Sequence, residues 1–130
     1  MALIDRIVAL ATRVGVEVRT KIDANHPGLA RAWVCFGYDG NAVLVRAAHN
    51  VTGVTRTARG RYRVTFASPM PDAGYCWTAL ARSSTNSGAQ RIAIVRDTND
   101  EKTEQYVDIS CATTATTFTD STEINLTVHR

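Results

Sequence analysis

Apolar residues recur at two different periods along this chain. From residue 2 to residue 22 they follow the alternating three-and-four spacing of a heptad. One seam runs Leu3, Ile7, Leu10, Val14; a second runs Ile4, Val8, Ala11, Gly15, Val18, Ile22. Proline is absent from this stretch, and Ala, Leu, Ile, Arg and Glu supply 12 of its 21 residues, so the spacing predicts a helix. Two adjacent seams make a broad apolar face, and a helix of about six turns is marginal in water unless that face is covered. Its own sheet or copies of itself could cover it. The paired seams suit a three-helix bundle, so Leu3, Ile4, Ile7, Val8, Leu10, Ala11, Val14 and Val18 are the expected self-association residues. Gly15 and the β-branched Val14, Val16 and Val18 weaken the second half of the helix. Asn25, His26, Pro27 and Gly28 end it.

After Leu29 the period changes to two. In Arg61–Phe66 the apolar Tyr62, Val64 and Phe66 alternate with Arg61, Arg63 and Thr65, as in a strand with one buried face. Ile124, Leu126 and Val128 alternate with Glu123, Asn125, Thr127 and His129 in the same way. Further strands are expected at 31–36, 42–48, 51–54, 75–81, 89–95, 105–111 and 113–118. Tyr38-Asp39-Gly40-Asn41 and Ala58-Arg59-Gly60 supply turns. The strand 75–81 is apolar on both faces (Tyr75, Trp77 and Ala79 against Cys76 and Leu80), which points to a central position. About eight or nine short strands at close spacing imply a mainly β fold, a β-sandwich or partly closed barrel. No helix follows residue 28 to serve as a crossover. The expected organisation is a trimerising helix over 1–24, a linker over 25–30 and a β-sandwich head over 31–130.

A length of 130 residues suits one domain and one core. At 45% hydrophobic and 21% charged the composition is that of a folded chain. No run approaches the roughly 20 apolar residues of a membrane span, so no membrane insertion is expected. MALIDR does not read as a secretory signal, which predicts synthesis and folding in a cytosol. Cys35, Cys76 and Cys111 are odd in number and lie in strand-like runs, which predicts buried free thiols.

Charge is uneven. Residues 1–66 hold ten basic and four acidic side chains; residues 67–130 hold five and eight. Arg56, Arg59, Arg61 and Arg63 crowd one turn. They read either as a surface-binding patch or as a solvated hairpin tip facing an acidic neighbour. Thirteen of the fifteen basic residues are arginine, which favours fixed, bidentate contacts over loose phosphate binding, and no nucleic acid partner is expected. Trp33, Phe36, Tyr62, Phe66, Tyr75, Trp77 and Phe118 fall in expected strands, where core packing is the default, whereas Tyr38, in a turn, is a candidate for stacking on a sugar ring or anchoring a protein contact.

Candidate chemistry is sparse. His26, His49 and His129 are scattered, no two cysteines have ligand spacing, and no zinc site is expected. The acidic run Asp97, Asp100, Glu101, Glu104 faintly resembles a calcium loop but lacks the central glycine and reads as a charged, solvated turn. No phosphate cradle or nucleophile elbow occurs. The expectation is a non-enzyme with no cofactor and no metal. Asn50-Val51-Thr52 and Asn125-Leu126-Thr127 fit the glycosylation triplet but fall in expected strands.

The middle of the chain carries an ordered set of motifs. Trp33, Val34 and Phe36 open it, followed by a turn at Gly40, Arg46, and the pair Asn50-Val51. Gly60, Tyr62, Val64 and Phe66 come next, then Met70-Pro71-Asp72-Ala73 before Tyr75. This run closely resembles a domain at the C-terminal ends of bacteriophage tail fibres and related virion fibres. Residues 89–130 look like the variable strands that complete such a domain, and the helix looks like the short coiled segment that often precedes it. Cys35 and the pair Cys76-Trp77 depart from the pattern. The resemblance implies a homotrimeric fibre or spike piece of a virion, assembled in the host cytoplasm, partnered by other virion proteins and often concerned with attachment to host surface polysaccharide or protein. A capsid, collar or tail decoration or adaptor protein is the alternative. The resemblance implies no catalytic residue. It implies that Tyr62, Val64, Phe66 and Tyr75 fill a core while residues 70–73 shape a connection, and it transfers no receptor contact.

Overall fold

The computed structural model describes residues 2–23, 26–84, 90–114 and 117–130. The expectations placed on Asn25, on the loop residues 85–88, on Ala89 and on Thr116 lie outside them. One helix, α1 (Ala2–Lys21), precedes nine strands: β1 (Ala30–Tyr38), β2 (Val43–His49), β3 (Val51–Ala58), β4 (Arg61–Phe66), β5 (Cys76–Arg82), β6 (Ile92–Ile94), β7 (Tyr106–Thr114), β8 (Thr117–Phe118) and β9 (Glu123–His129). They form two antiparallel sheets, β2-β1-β9-β5 and β3-β4-β7-β6, with β8 paired to β7. The fold is mainly β, as the period-two pattern requires.

The core lies between the sheets. Ala32, Val34 and Phe36 of β1 and Ile124, Leu126 and Val128 of β9 face Tyr62, Val64 and Phe66 of β4 and Val107, Ile109 and Cys111 of β7. Phe36 meets Tyr62 edge to face at 5.2 Å, and Phe66 meets Tyr75 likewise at 5.7 Å, a geometry that adds to the area the rings bury. Met70 and Tyr75 close the core from the loop between β4 and β5. The Tyr75 hydroxyl donates to the Thr103 carbonyl at 2.8 Å, so its polar end is satisfied.

Three residues of the ordered motif act at corners. Asn50 sits at φ 52°, where the chain leaves one sheet and enters the other. Its side-chain amide donates to the Arg31 and Ser68 carbonyls, and its oxygen accepts the Ser68 N–H at 2.7 Å. Asparagine tolerates this left-handed backbone. Gly60 also has positive φ, and a Cβ there would lie 2.6 Å from the Thr119 nitrogen. The register slips between Cys35 and Phe36 against β2, leaving Arg46 as the extra residue of a bulge. Bulges re-aim side chains, and Arg46 donates to the Thr122 carbonyl at 2.7 Å.

Several expectations need correction. β5 is an edge strand, not a central one, and its second apolar row (Cys76, Leu80) faces outward. Trp33 also points outward, stacked on His49, because Ala32, Val34 and Phe36 occupy the inward positions of β1. Of the three free thiols only Cys111 is buried; Cys35 is half-buried and Cys76 exposed. The acidic run is a solvated turn only in part: Asp97, Glu101 and Glu104 are exposed, but Asp100 is drawn in. The segment folds back over β7: Asp108 N–H donates to the Glu101 carbonyl, and Asp100 accepts from Ser110 Oγ and pairs with Arg96 at 2.7 Å.

Candidate functional site

The helix builds its apolar face from local rules. Asp5 in its first turn and Arg19 and Lys21 in its last complement the helix dipole. The Thr12 and Thr20 hydroxyls bond back to the Val8 and Val16 carbonyls, so neither needs an outside partner. At 100° per residue the eight expected association residues, with Gly15 and Ile22, sweep an arc of about 160°. Asp5, Arg6, Arg13 and Glu17 occupy the opposite side, together with the apolar Ala2, Ala9 and Val16.

No residue of the helix is buried. Leu3 is 70% exposed, Leu10 63% and Ile7 57%. The sandwich therefore leaves the apolar arc uncovered. Among the described residues no helix is long and apolar enough to cross a membrane.

The four arginines of the β3–β4 hairpin have different surroundings. Arg56 reaches from β3 to the segment just before β9 and makes a bidentate pair with Asp120, at 2.9 and 2.8 Å, while its guanidinium lies over the Tyr38 ring at 4.5 Å. Asp120 also accepts the Tyr62 hydroxyl at 2.7 Å and the Gly60 N–H at 2.8 Å. Burial alone pushes the Asp120 carboxyl up, but the bonds from Arg56, Tyr62 and Gly60 outweigh it and hold the group at about 2. Burial, then the bond to Asp120, pushes the Tyr62 hydroxyl up. Arg63 pairs with Asp108 at 2.7 Å and lies 3.7 Å over the Tyr106 ring. Arg61 lies 4.5 Å over Phe118, and Arg59 stands exposed at the turn.

The hairpin thus brings Arg59 and Arg61 to its tip, and it spends Arg56 and Arg63 on holding the two sheets and the strap over β7 in place. Tyr38 lies at the end of β1 under Arg56, with its hydroxyl donating to the Gly40 carbonyl at 3.2 Å. Sequence reasoning missed Asp120 and Asp108, the carboxylates that organise this cluster. The alternation of 105–111 does place Asp108 on the outward side, but pairing it with Arg63 requires knowing that β4 and β7 are neighbours. Among the described residues no group of three or more histidine, cysteine or carboxylate side chains could hold a metal ion.

Compared with protein-family models, with curated proteins and with solved structures, the chain finds no match.

Proposed function

We propose that the chain is a non-catalytic structural component of a bacteriophage virion, a short homotrimeric fibre or spike piece that attaches to the host cell surface. The observation that carries the self-association is the apolar arc of α1, all of it exposed and none of it used by the sandwich of the same chain. Fully burying one Leu or Ile side chain is worth about 1.5–3 kcal/mol, so several such residues per helix make assembly the favourable way to cover the arc. The virion assignment rests on the ordered motif from Trp33 to Tyr75. It is supported by the roles its residues have here: Val34, Phe36, Tyr62, Val64, Phe66, Met70 and Tyr75 form core, and Asn50 and Gly60 form corners.

The alternative, a decoration or adaptor protein without receptor contact, draws on the hairpin. With Arg56 and Arg63 engaged internally, the tip offers less free charge to an acidic polysaccharide than four arginines would.

Light scattering on the purified chain is expected to give a mass near three subunits. The double variant Leu10→Glu, Val14→Glu, which puts charge in one seam, is expected to give a monomer with the sandwich folded. A stable monomer before mutation contradicts the assembly. Pull-down of the trimer on host cells separates the two roles: retention lost at high salt or in Arg59→Glu, Arg61→Glu supports attachment through the tip, and absence of retention supports the adaptor.

A further inference from the structure

The chain enters the head through a four-residue turn, His26-Pro27-Gly28-Leu29, immediately before β1. The Leu29 N–H donates to the His26 carbonyl at 3.0 Å, the bond that closes a β-turn. Proline in second place presets the turn. Gly28 is not at positive φ, so the turn is not of type II. The first place of a type I turn is ordinarily taken by Asp, Asn or Ser, whose side-chain oxygen can accept the N–H two residues on. Here a histidine takes that place: the Gly28 N–H donates to His26 Nδ1 at 3.0 Å. The ring lies so close to the backbone that a Cβ on Gly28 would sit 3.1 Å from its Cε1. Near the turn, a cavity of about 650 Å³ is lined by Ile22 and Asp23 at the helix end and by Arg31, His49, Pro69 and Met70 of the head. The helix end therefore does not pack flush on the head, which leaves the turn as a hinge between them. Asp23, Arg31 and His49 are the charged and titratable groups lining this junction.

We infer that the turn His26–Leu29 is a proton-operated latch, closed while His26 Nδ1 is bare and released when it takes up a proton, so that the head is held on its helix at neutral pH and swings more freely in mild acid. The chemistry of the ring carries this. A ring nitrogen accepts a hydrogen bond only while it has no proton; in the charged imidazole both nitrogens are donors. Protonated His26 would set Nδ1–H against the Gly28 N–H, donor to donor, and the ring would have to turn away from the backbone. The turn then keeps only its backbone bond and loses the side chain that braces its glycine, the residue with the most conformational freedom to regain. Histidine is the side chain whose ordinary charge change falls between pH 5 and 8. Asn or Ser in the same place would brace the turn at every pH in that range. The latch acts within one chain, so it stands or falls separately from the assembly proposed above.

Backbone ¹⁵N relaxation on the full chain at pH 7.5 and pH 5.5 tests the latch, with light scattering reporting the assembly state of the same samples. In wild type the amide order parameters of Gly28 and Leu29 are expected to fall from about 0.85 to below about 0.6 as the pH drops, and the Gly28 amide shift should move in step with the His26 ring resonances. His26→Asn, which keeps an acceptor for the Gly28 N–H but takes up no proton, should hold the turn rigid at both pH values. His49→Asn, which removes the other histidine of the junction, should behave as wild type. A wild-type turn equally ordered, or equally mobile, at the two pH values overturns the inference. So does a turn that loosens in acid in His26→Asn, or one that no longer loosens in His49→Asn, because either result assigns the change to another group. None of these outcomes depends on the number of chains that the scattering reports.

Discussion

The helix and the sandwich are both rich in Leu, Ile and Val, yet they use them in opposite ways. In the sandwich Val34, Phe36, Val64, Ile109, Ile124, Leu126 and Val128 are 2% exposed or less. In the helix every large apolar side chain from Leu3 to Val18 is more than half exposed. The difference is one of partners. Two sheets supply each other with a matching face within one chain, whereas a single helix beside a closed sandwich has none. Stability and assembly should therefore be separable, with substitutions in the core unfolding the head and substitutions in the arc dissociating the chains.

The largest effect should come from the core. Phe36→Ala removes a fully buried ring and its edge contact with Tyr62, and is expected to lower the unfolding free energy of the head by about 3–5 kcal/mol. Leu10→Glu, on the exposed arc, should leave the urea midpoint of the head within about 0.5 kcal/mol of wild type at a concentration where both are monomeric. Equal losses in the two variants would mean that helix and head fold as one unit.

Asp120→Ala should rank next, at about 2–4 kcal/mol, because it leaves the Arg56 guanidinium and the Tyr62 hydroxyl without their carboxylate. The pH dependence has a definite sign. The folded Asp120 sits at about 2, below its ordinary value near 4. Its stabilisation is thus complete above the ordinary value and is lost as pH falls towards about 2. Melting curves between pH 5 and pH 2 should converge for wild type and Asp120→Asn as the pH drops; parallel curves would show that Asp120 carries no linked proton. Asn50→Ala follows at about 1–3 kcal/mol, from three hydrogen bonds and a left-handed backbone that alanine dislikes, read as a shift in the urea midpoint.

The same comparison explains what could be read from sequence. Period alone separated the helix from the strands and marked the inward rows of β4 and β9, because a buried row must be apolar at every second residue. It also put Trp33 out of step with Val34 and Phe36, a signal that the default of burying aromatics overrode. The edge position of β5 was not legible, because an outward row of Cys76 and Leu80 looks like the second face of a central strand. The roles of Arg56 and Arg63 were not legible either. Their carboxylates lie 64 and 45 residues away in sequence, and only strand order brings them together. The exposed arc was legible as a need for cover, since no other element of the chain carries a matching helical stripe.

The smallest effect is also the most informative about that cover. Gly15 lies within the arc, and a Cβ built on it meets nothing within 4 Å. In the single chain Gly15→Ala therefore has no steric cost and gains about 0.8–1 kcal/mol of helix propensity. Far-UV circular dichroism below the association concentration should show a more helical chain. In a bundle the added methyl points at sister helices, where its neighbour in the same seam, Ala11, already places one. The propensity gain should then persist, and association should tighten by up to about fivefold per chain. Weaker association together with higher monomer helicity would mean that the helices approach each other at Gly15 more closely than a methyl permits. The crossing would then be set by that glycine rather than by the heptad seams.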